Sequence, residues 1–156
     1  ILMVMAIWLW QLAGRNNMTK ILALGLFIAA VTYPSLKREN NDLPKWQDYS
    51  AQRLAELRGS EQAVFINLTA DWCITCLVNE KVAMGDSFYQ ALENNNIAYL
   101  KGDWTHKDPE ITKLLNQYNR NGVPLYLLFP KGSGSAQILP QLLSKSSLIK
   151  TLNRVN

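Results

Sequence analysis

Two cysteines, Cys73 and Cys76, stand three positions apart in the stretch TADWCITCLVNE, and the 156-residue chain has no others. A structural zinc site normally takes four ligands, and beyond this pair the chain offers a single histidine, His106, thirty residues after Cys76. Redox chemistry needs only two sulfurs. The run before the pair, Ala63 to Thr69, is β-rich and mostly apolar, as a strand buried on both faces should be. A helix is expected from Cys73 toward Val82, which sets Cys73 at its N-terminus. There the unpaired backbone N–H groups and the positive end of the helix dipole favour thiolate over thiol. Cys73 is therefore the expected nucleophile. Cys76, one turn into the helix and more buried, is close enough to close a disulfide on it and is the expected resolving thiol. Trp72 would shelter the sulfurs and offer a flat apolar surface to an incoming partner, or simply pack at the strand end. The competing reading of the pair is a structural disulfide. The loop it would close is too short to remove much chain entropy, and a CxxC between strand and helix reads as redox-active.

The elements that must position this pair follow from periodicity and caps. Ser50 is the expected N-cap of a helix through AQRLAELR, with Gly59 closing it at C′. After the cysteine helix comes a shorter one, Phe88 to Glu93, ending in a turn at Asn94 to Asn96. Ile97 to Asp103 reads as a second strand. Asp108 caps a helix with Pro109 at its first position, and Leu125 to Phe129, Ala136 to Leu139 and Ser146 to Val155 read as strand, strand and helix. Strands alternating with helices and a closing hairpin predict an α/β fold, a mixed central sheet with helices on both faces. His106 falls in a polar loop and is expected to face solvent. Asp71 reads as a loop-end carboxylate, and Asp103 and Trp104 as the end of a strand.

Ahead of this domain, residues 46–156, the composition changes. ILMVMAIWLWQLAG and ILALGLFIAAVTYPSL are apolar runs separated by RNNMTK, and neither has the polar face of a globular surface helix. Two membrane helices within residues 1–36, the first truncated, are the preferred reading, with residues 37–45 as linker. The rival is a secretory signal starting at Met18, although no small-x-small cleavage site follows. Both readings attach the domain to a membrane or send it across one. Of the formal charge of +4, residues 1–45 carry five Lys/Arg against two Asp/Glu, and the remainder eleven against ten. The folded part is thus nearly neutral, with no basic stripe for nucleic acid.

A second feature narrows the family. Pro124 lies 48 residues after Cys76, preceded by Gly122 and Val123 and followed by an apolar strand. Strand, WCxxC, helix, strand, helix, then small-x-Pro before a strand resembles the thioredoxin layout. That resemblance implies a cis proline facing the disulfide, with the backbone of Val123 free to pair with an extended substrate. Read alone, Pro124 is a strand-start proline. FINLTADWCITCLVNEKVA and LKGDWTHKDPEITKLLNQYNRNGVPLYLLFP further resemble the C-terminal domain of the bacterial membrane thiol:disulfide interchange proteins of the DsbD family, and the apolar runs resemble the last helices of that family's core. The resemblance covers essentially the whole chain. It implies a protein-disulfide reductase relay in the inner membrane, with this domain in the periplasm. Electrons would come from a cysteine pair in the membrane core and pass through Cys73 and Cys76 to the N-terminal periplasmic domain and other periplasmic thiol-disulfide proteins. No organic cofactor or metal is implied beyond the redox-active disulfide.

Two positions depart from the wider thioredoxin pattern. Where a buried Asp commonly precedes the first cysteine by six residues, this chain has Asn67, which cannot titrate and reads as a hydrogen-bonded strand residue. Glu80, four residues after Cys76 and on the cysteines' helix face, is the remaining candidate base; its other reading is a solvated helix residue. Leu77 follows the motif where a lysine is frequent, which removes a cation that would favour the Cys73 thiolate. Two alternatives to the relay stay open: a membrane-tethered thiol reductant for cytochrome c maturation, and a non-catalytic interaction module whose disulfide is structural.

Overall fold

Every residue of β2 (Ala63–Thr69) is buried, which explains why its sequence is a continuous apolar run rather than an alternation. The computed structural model describes residues 45–132 and 134–155. The expected membrane helices and nearly all of the linker lie outside the described residues. Within them, β3 (Ile97–Asp103) runs parallel to β2, from Ala63 opposite Ile97 to Thr69 opposite Asp103. On the other side β4 (Leu125–Phe129) is antiparallel, with Leu68 opposite Leu125. Two-residue strands complete the sheet: β1 (Gln47–Asp48) parallel to β3, and β5 (Gln137–Ile138) antiparallel to β4, giving the order β1-β3-β2-β4-β5. The expected mixed sheet is present. β1 was not foreseen, because two exposed polar residues carry no periodic signal.

The two faces of β2 feed two cores, as the period-2 geometry of a strand requires. Phe65 packs with Ala83, Met84, Phe88, Leu148 and Leu152, which come from α2 (Ile74–Ala83) with the residue after it, α3 (Asp86–Asn94) and α5 (Lys145–Leu152). Val64, Ile66 and Leu68 pack with Leu57 of α1 (Ala51–Gly59) and with Ile111, Leu114 and Leu115 of α4 (Pro109–Gln117). The helices therefore cover both faces of the sheet.

Caps hold the helix starts as the sequence indicates. Ser50 Oγ accepts from the Arg53 N–H at 3.0 Å, and Asp108 Oδ1 accepts from the Glu110 and Ile111 N–H groups ahead of Pro109. The expected C′ role of Gly59 is corrected. Gly59 is the last helical residue, Ser60 is the cap, and Glu61 takes the left-handed conformation at φ 57°. The chain must reverse into β2 at Ala63, and the tight step falls on Glu61. α3 starts earlier than expected, at Asp86, and α5 ends earlier, at Leu152.

Candidate active site

β2 delivers the chain to Ala70, whose carbonyl accepts from the Cys73 N–H at 3.0 Å. This turn makes Cys73 the N-cap of α2. Its Sγ accepts from the Cys76 N–H at 3.2 Å, so one of the orphan donors of the helix start is aimed at the sulfur that would carry charge. The two cysteines are joined in a disulfide, with Cα atoms 5.3 Å apart. Cys73 retains 7 % exposure and Cys76 none, the asymmetry expected of an attacking and a resolving thiol. Val123 packs against the small cluster of Ala70, Cys73 and Cys76. The Val123–Pro124 peptide is cis, and Pro124 is buried. Pairing of Leu68 with Leu125 brings this loop to the end of β2 where the cysteines begin.

Trp72 is half exposed, and its ring centroid lies 6.0 Å from that of Trp104. Its Nε1 donates to the Thr105 carbonyl at 3.2 Å, while Thr105 Oγ1 accepts from the Asp71 N–H at 2.9 Å. Thr105 in turn donates its own N–H to Asp103 Oδ1 at 2.8 Å. The Thr105 hydroxyl and N–H hold the Asp103 carboxyl below its ordinary pKa. The loop after β3 thus braces the loop before the cysteines. Thr105 was missed by sequence reasoning, since nothing in a lone threonine announces a contact across 34 residues. His106 is exposed, as expected.

Beneath α2 lies a polar cluster. Glu80 is partly buried and paired rather than free in solvent: its carboxylate is 2.9 Å from Lys101 Nζ on β3 and accepts from Asn67 Nδ2 at 3.2 Å. Lys101 also sits 5.1 Å from the centre of the Trp46 ring. Asn67 is fully buried, donates to Tyr99 Oη at 3.0 Å, and leaves its own Oδ1 without a partner. Burial pushes the Tyr99 phenol well above its usual range, and pushes Tyr126 up to about 12 against the opposing hydrogen bond from Asn79.

The outer face of α2 inverts the usual pattern. Ile74, Leu77, Val78 and Val82 are 77, 52, 45 and 58 % exposed, an apolar stripe beginning beside the disulfide. Its inner face carries Asn79 instead, which donates to Tyr126 Oη at 3.0 Å and to the Gln141 carbonyl at 2.6 Å, and accepts from the Leu143 N–H at 3.1 Å. The helix was expected from sequence, but not which of its faces is turned outward.

A family model described as thioredoxin-like matches residues 45–131. The chain belongs to the thioredoxin-like family. Among curated proteins, the thiol:disulfide interchange protein DsbD 1 of Pseudomonas aeruginosa is 32% identical over 135 residues, covering 81% of this chain and 21% of the relative. DsbD of Haemophilus influenzae is 32% identical over 130 residues, covering 83% and 20%. The chain therefore spans about a fifth of the length of these relatives. Among solved structures, the oxidised C-terminal domain of Neisseria meningitidis DsbD is similar at a TM-score of 0.57 and 20% identity, over 71% of this chain and 99% of that one. A thioredoxin from Thermus thermophilus gives 0.57 and 17%, over 71% and 87%. These structural likenesses establish the fold.

Proposed function

We propose that this domain is a protein-disulfide reductase, a thiol:disulfide oxidoreductase that relays electrons by exchange at Cys73 and Cys76. The observation that carries the reading is the Cys73–Cys76 disulfide, with the Cys73 sulfur at the start of α2 and Val123 packed against the pair. In the reduced domain the Cys73 thiolate attacks a partner disulfide. A mixed disulfide forms, and the first partner sulfur leaves and takes up a proton. Cys76 then gives up its proton and attacks Cys73 Sγ, which closes the internal disulfide and expels the second partner sulfur. Two electrons have passed to the partner. Glu80 is the proton acceptor for Cys76 in this reading, directly or through one water, because Asn67 cannot ionise. Trp72, Val123 and Pro124 form the surface on which an extended partner segment lies, and the apolar stripe of α2 extends it. The disulfide is the only redox group the reaction needs.

The similarity to DsbD proteins extends the proposal to the setting. Residues 1–36 are the final helices of a membrane core whose cysteine pair reduces this domain, and the domain works in the periplasm on the full-length protein's N-terminal domain and on other thiol-disulfide proteins. The reduction potential tests the direction of flow. A value near about −270 mV fits a reductase, whereas one near about −120 mV belongs to an oxidant and overturns the proposal.

A further inference from the structure

The loop that joins α4 to β4 holds the only asparagine of the chain that is followed by glycine, Asn121–Gly122. Asparagine is among the thermolabile residues, because its side-chain amide carbon can be attacked by the next backbone nitrogen. Glycine favours that attack. With no Cβ, it neither shields its own nitrogen nor restricts the turn that brings the two atoms together. The structure leaves the path open. Asn121 is exposed and lies outside any helix or strand. Among the described residues, neither the Asn121 side chain nor the Gly122 N–H makes a hydrogen bond, so no acceptor holds the attacking nitrogen. Asn67 and Asn79 differ on both counts, being buried with their amides hydrogen-bonded. The loop is anchored only at its ends. The Arg120 N–H donates to the Leu115 carbonyl at 2.9 Å, and β4 begins at Leu125.

We propose that Asn121 is a site of spontaneous deamidation, and that the isoaspartate formed there displaces Val123 from the cysteine pair. The Gly122 nitrogen gives up its proton and bonds to Asn121 Cγ. The Nδ2 group takes up a proton and leaves as ammonia, which closes a succinimide ring. Water then opens the ring. Addition at Cγ yields aspartate, whereas addition at the main-chain carbonyl carbon yields isoaspartate, in which the chain runs on through Cγ. The step consumes one water, releases one ammonia and moves no electrons. Isoaspartate lengthens the backbone by one carbon and adds a carboxylate, two residues before Val123, which packs against Ala70, Cys73 and Cys76. The cis bond to Pro124 follows directly. A lengthened chain between two anchored ends must bulge, and Val123 lies within that span. The inference stands apart from the reading of the domain as a reductase.

The test is to age the oxidised protein at mildly alkaline pH and digest it with trypsin, with an unaged sample as baseline. Cleavage after Arg120 and Lys131 gives the peptide NGVPLYLLFPK, whose only side-chain amide is that of Asn121. Its mass should rise by one unit over days, several-fold faster for each unit of pH because the attacking nitrogen must lose its proton, and an isoaspartate methyltransferase should label the aged protein. Gly122→Ala should slow the gain about tenfold. A Cβ there meets only Trp104 Cζ3 at 3.8 Å, an ordinary contact, so the variant keeps the fold. A wild-type peptide that gains no mass, or one that gains it no faster than Gly122→Ala, overturns the site. Dithiothreitol should then open the Cys73–Cys76 disulfide of the aged protein several-fold faster than that of the unaged one, while aged Gly122→Ala keeps its starting rate. Complete conversion to isoaspartate with an unchanged rate overturns the displacement of Val123. Failure of the unaged protein to reduce a protein disulfide would overturn the reductase reading alone, since neither measurement depends on it.

Discussion

Glu80 and Lys101 show how a single residue changes meaning once its partners are known. Each keeps about a quarter of its side-chain surface in water, so the pair adds only ~0–1 kcal/mol to stability. What the ion pair does is hold the carboxylate in place beside Asn67 and below the helix turn that carries Cys76. Glu80→Gln should therefore slow resolution of the mixed disulfide by ~10²-fold while leaving alkylation of Cys73 almost unchanged. Stopped-flow measurement of the two steps separately checks this, and an equal resolution rate would return Glu80 to a structural role. The sulfurs themselves give a second prediction at this scale. Cys76→Ser should accumulate a mixed disulfide with a partner domain on non-reducing gels, and Cys73→Ser should form none; equal trapping by both would reverse their assigned roles.

At the scale of the element, α2 has exchanged the usual places of polar and apolar side chains. Asn79, fully buried, ties the helix to Tyr126 of β4 and to the segment leading into α5 through three hydrogen bonds. Asn79→Ala would leave the Gln141 carbonyl and the Leu143 N–H to find new partners. The expected loss is ~2–3 kcal/mol, seen as a lower urea midpoint. On the outer face, the Leu77 and Val78 side chains touch solvent rather than core, so their replacement should spare the fold. Val78→Asp is expected to slow exchange with a protein disulfide by about tenfold, because a charge would be desolvated against the partner, yet to leave exchange with glutathione unchanged. Parallel rate measurements with the two substrates decide between a docking stripe and an incidental one.

For the molecule as a whole, the aromatic core on one face of the buried central strand sets the response to alkali. Tyr126 is pushed up to about 12 and Tyr99 is raised further in the same direction, in both cases chiefly by burial. Below about pH 10 both phenols are protonated in folded and unfolded chains, and their contribution is complete. Above it the unfolded chain loses these protons while the folded one keeps them, so stability falls as pH rises toward the folded values. Urea midpoints between pH 8 and pH 12 should show that decline, and Tyr126→Phe should make it shallower. The strand–CxxC–helix unit, the caps at Ser50 and Asp108 and the mixed α/β order were all legible in the sequence, because local periodicity, helix-start chemistry and cysteine spacing are short-range properties. They determined that Cys73 heads a helix, and they are the ground on which redox exchange is proposed as its chemistry. The tertiary structure decided the rest. Only the antiparallel pairing of β4 with β2 brings Val123 to the cysteines, and only the parallel register of β3 sets Lys101 opposite Asn67 and within reach of Glu80. Thr105 reaches Asp71 and Trp72, and Asn79 turns inward, for the same reason. Each of these contacts joins residues far apart in the chain, and which side chains meet is fixed by strand order and helix rotation, quantities that no local pattern encodes.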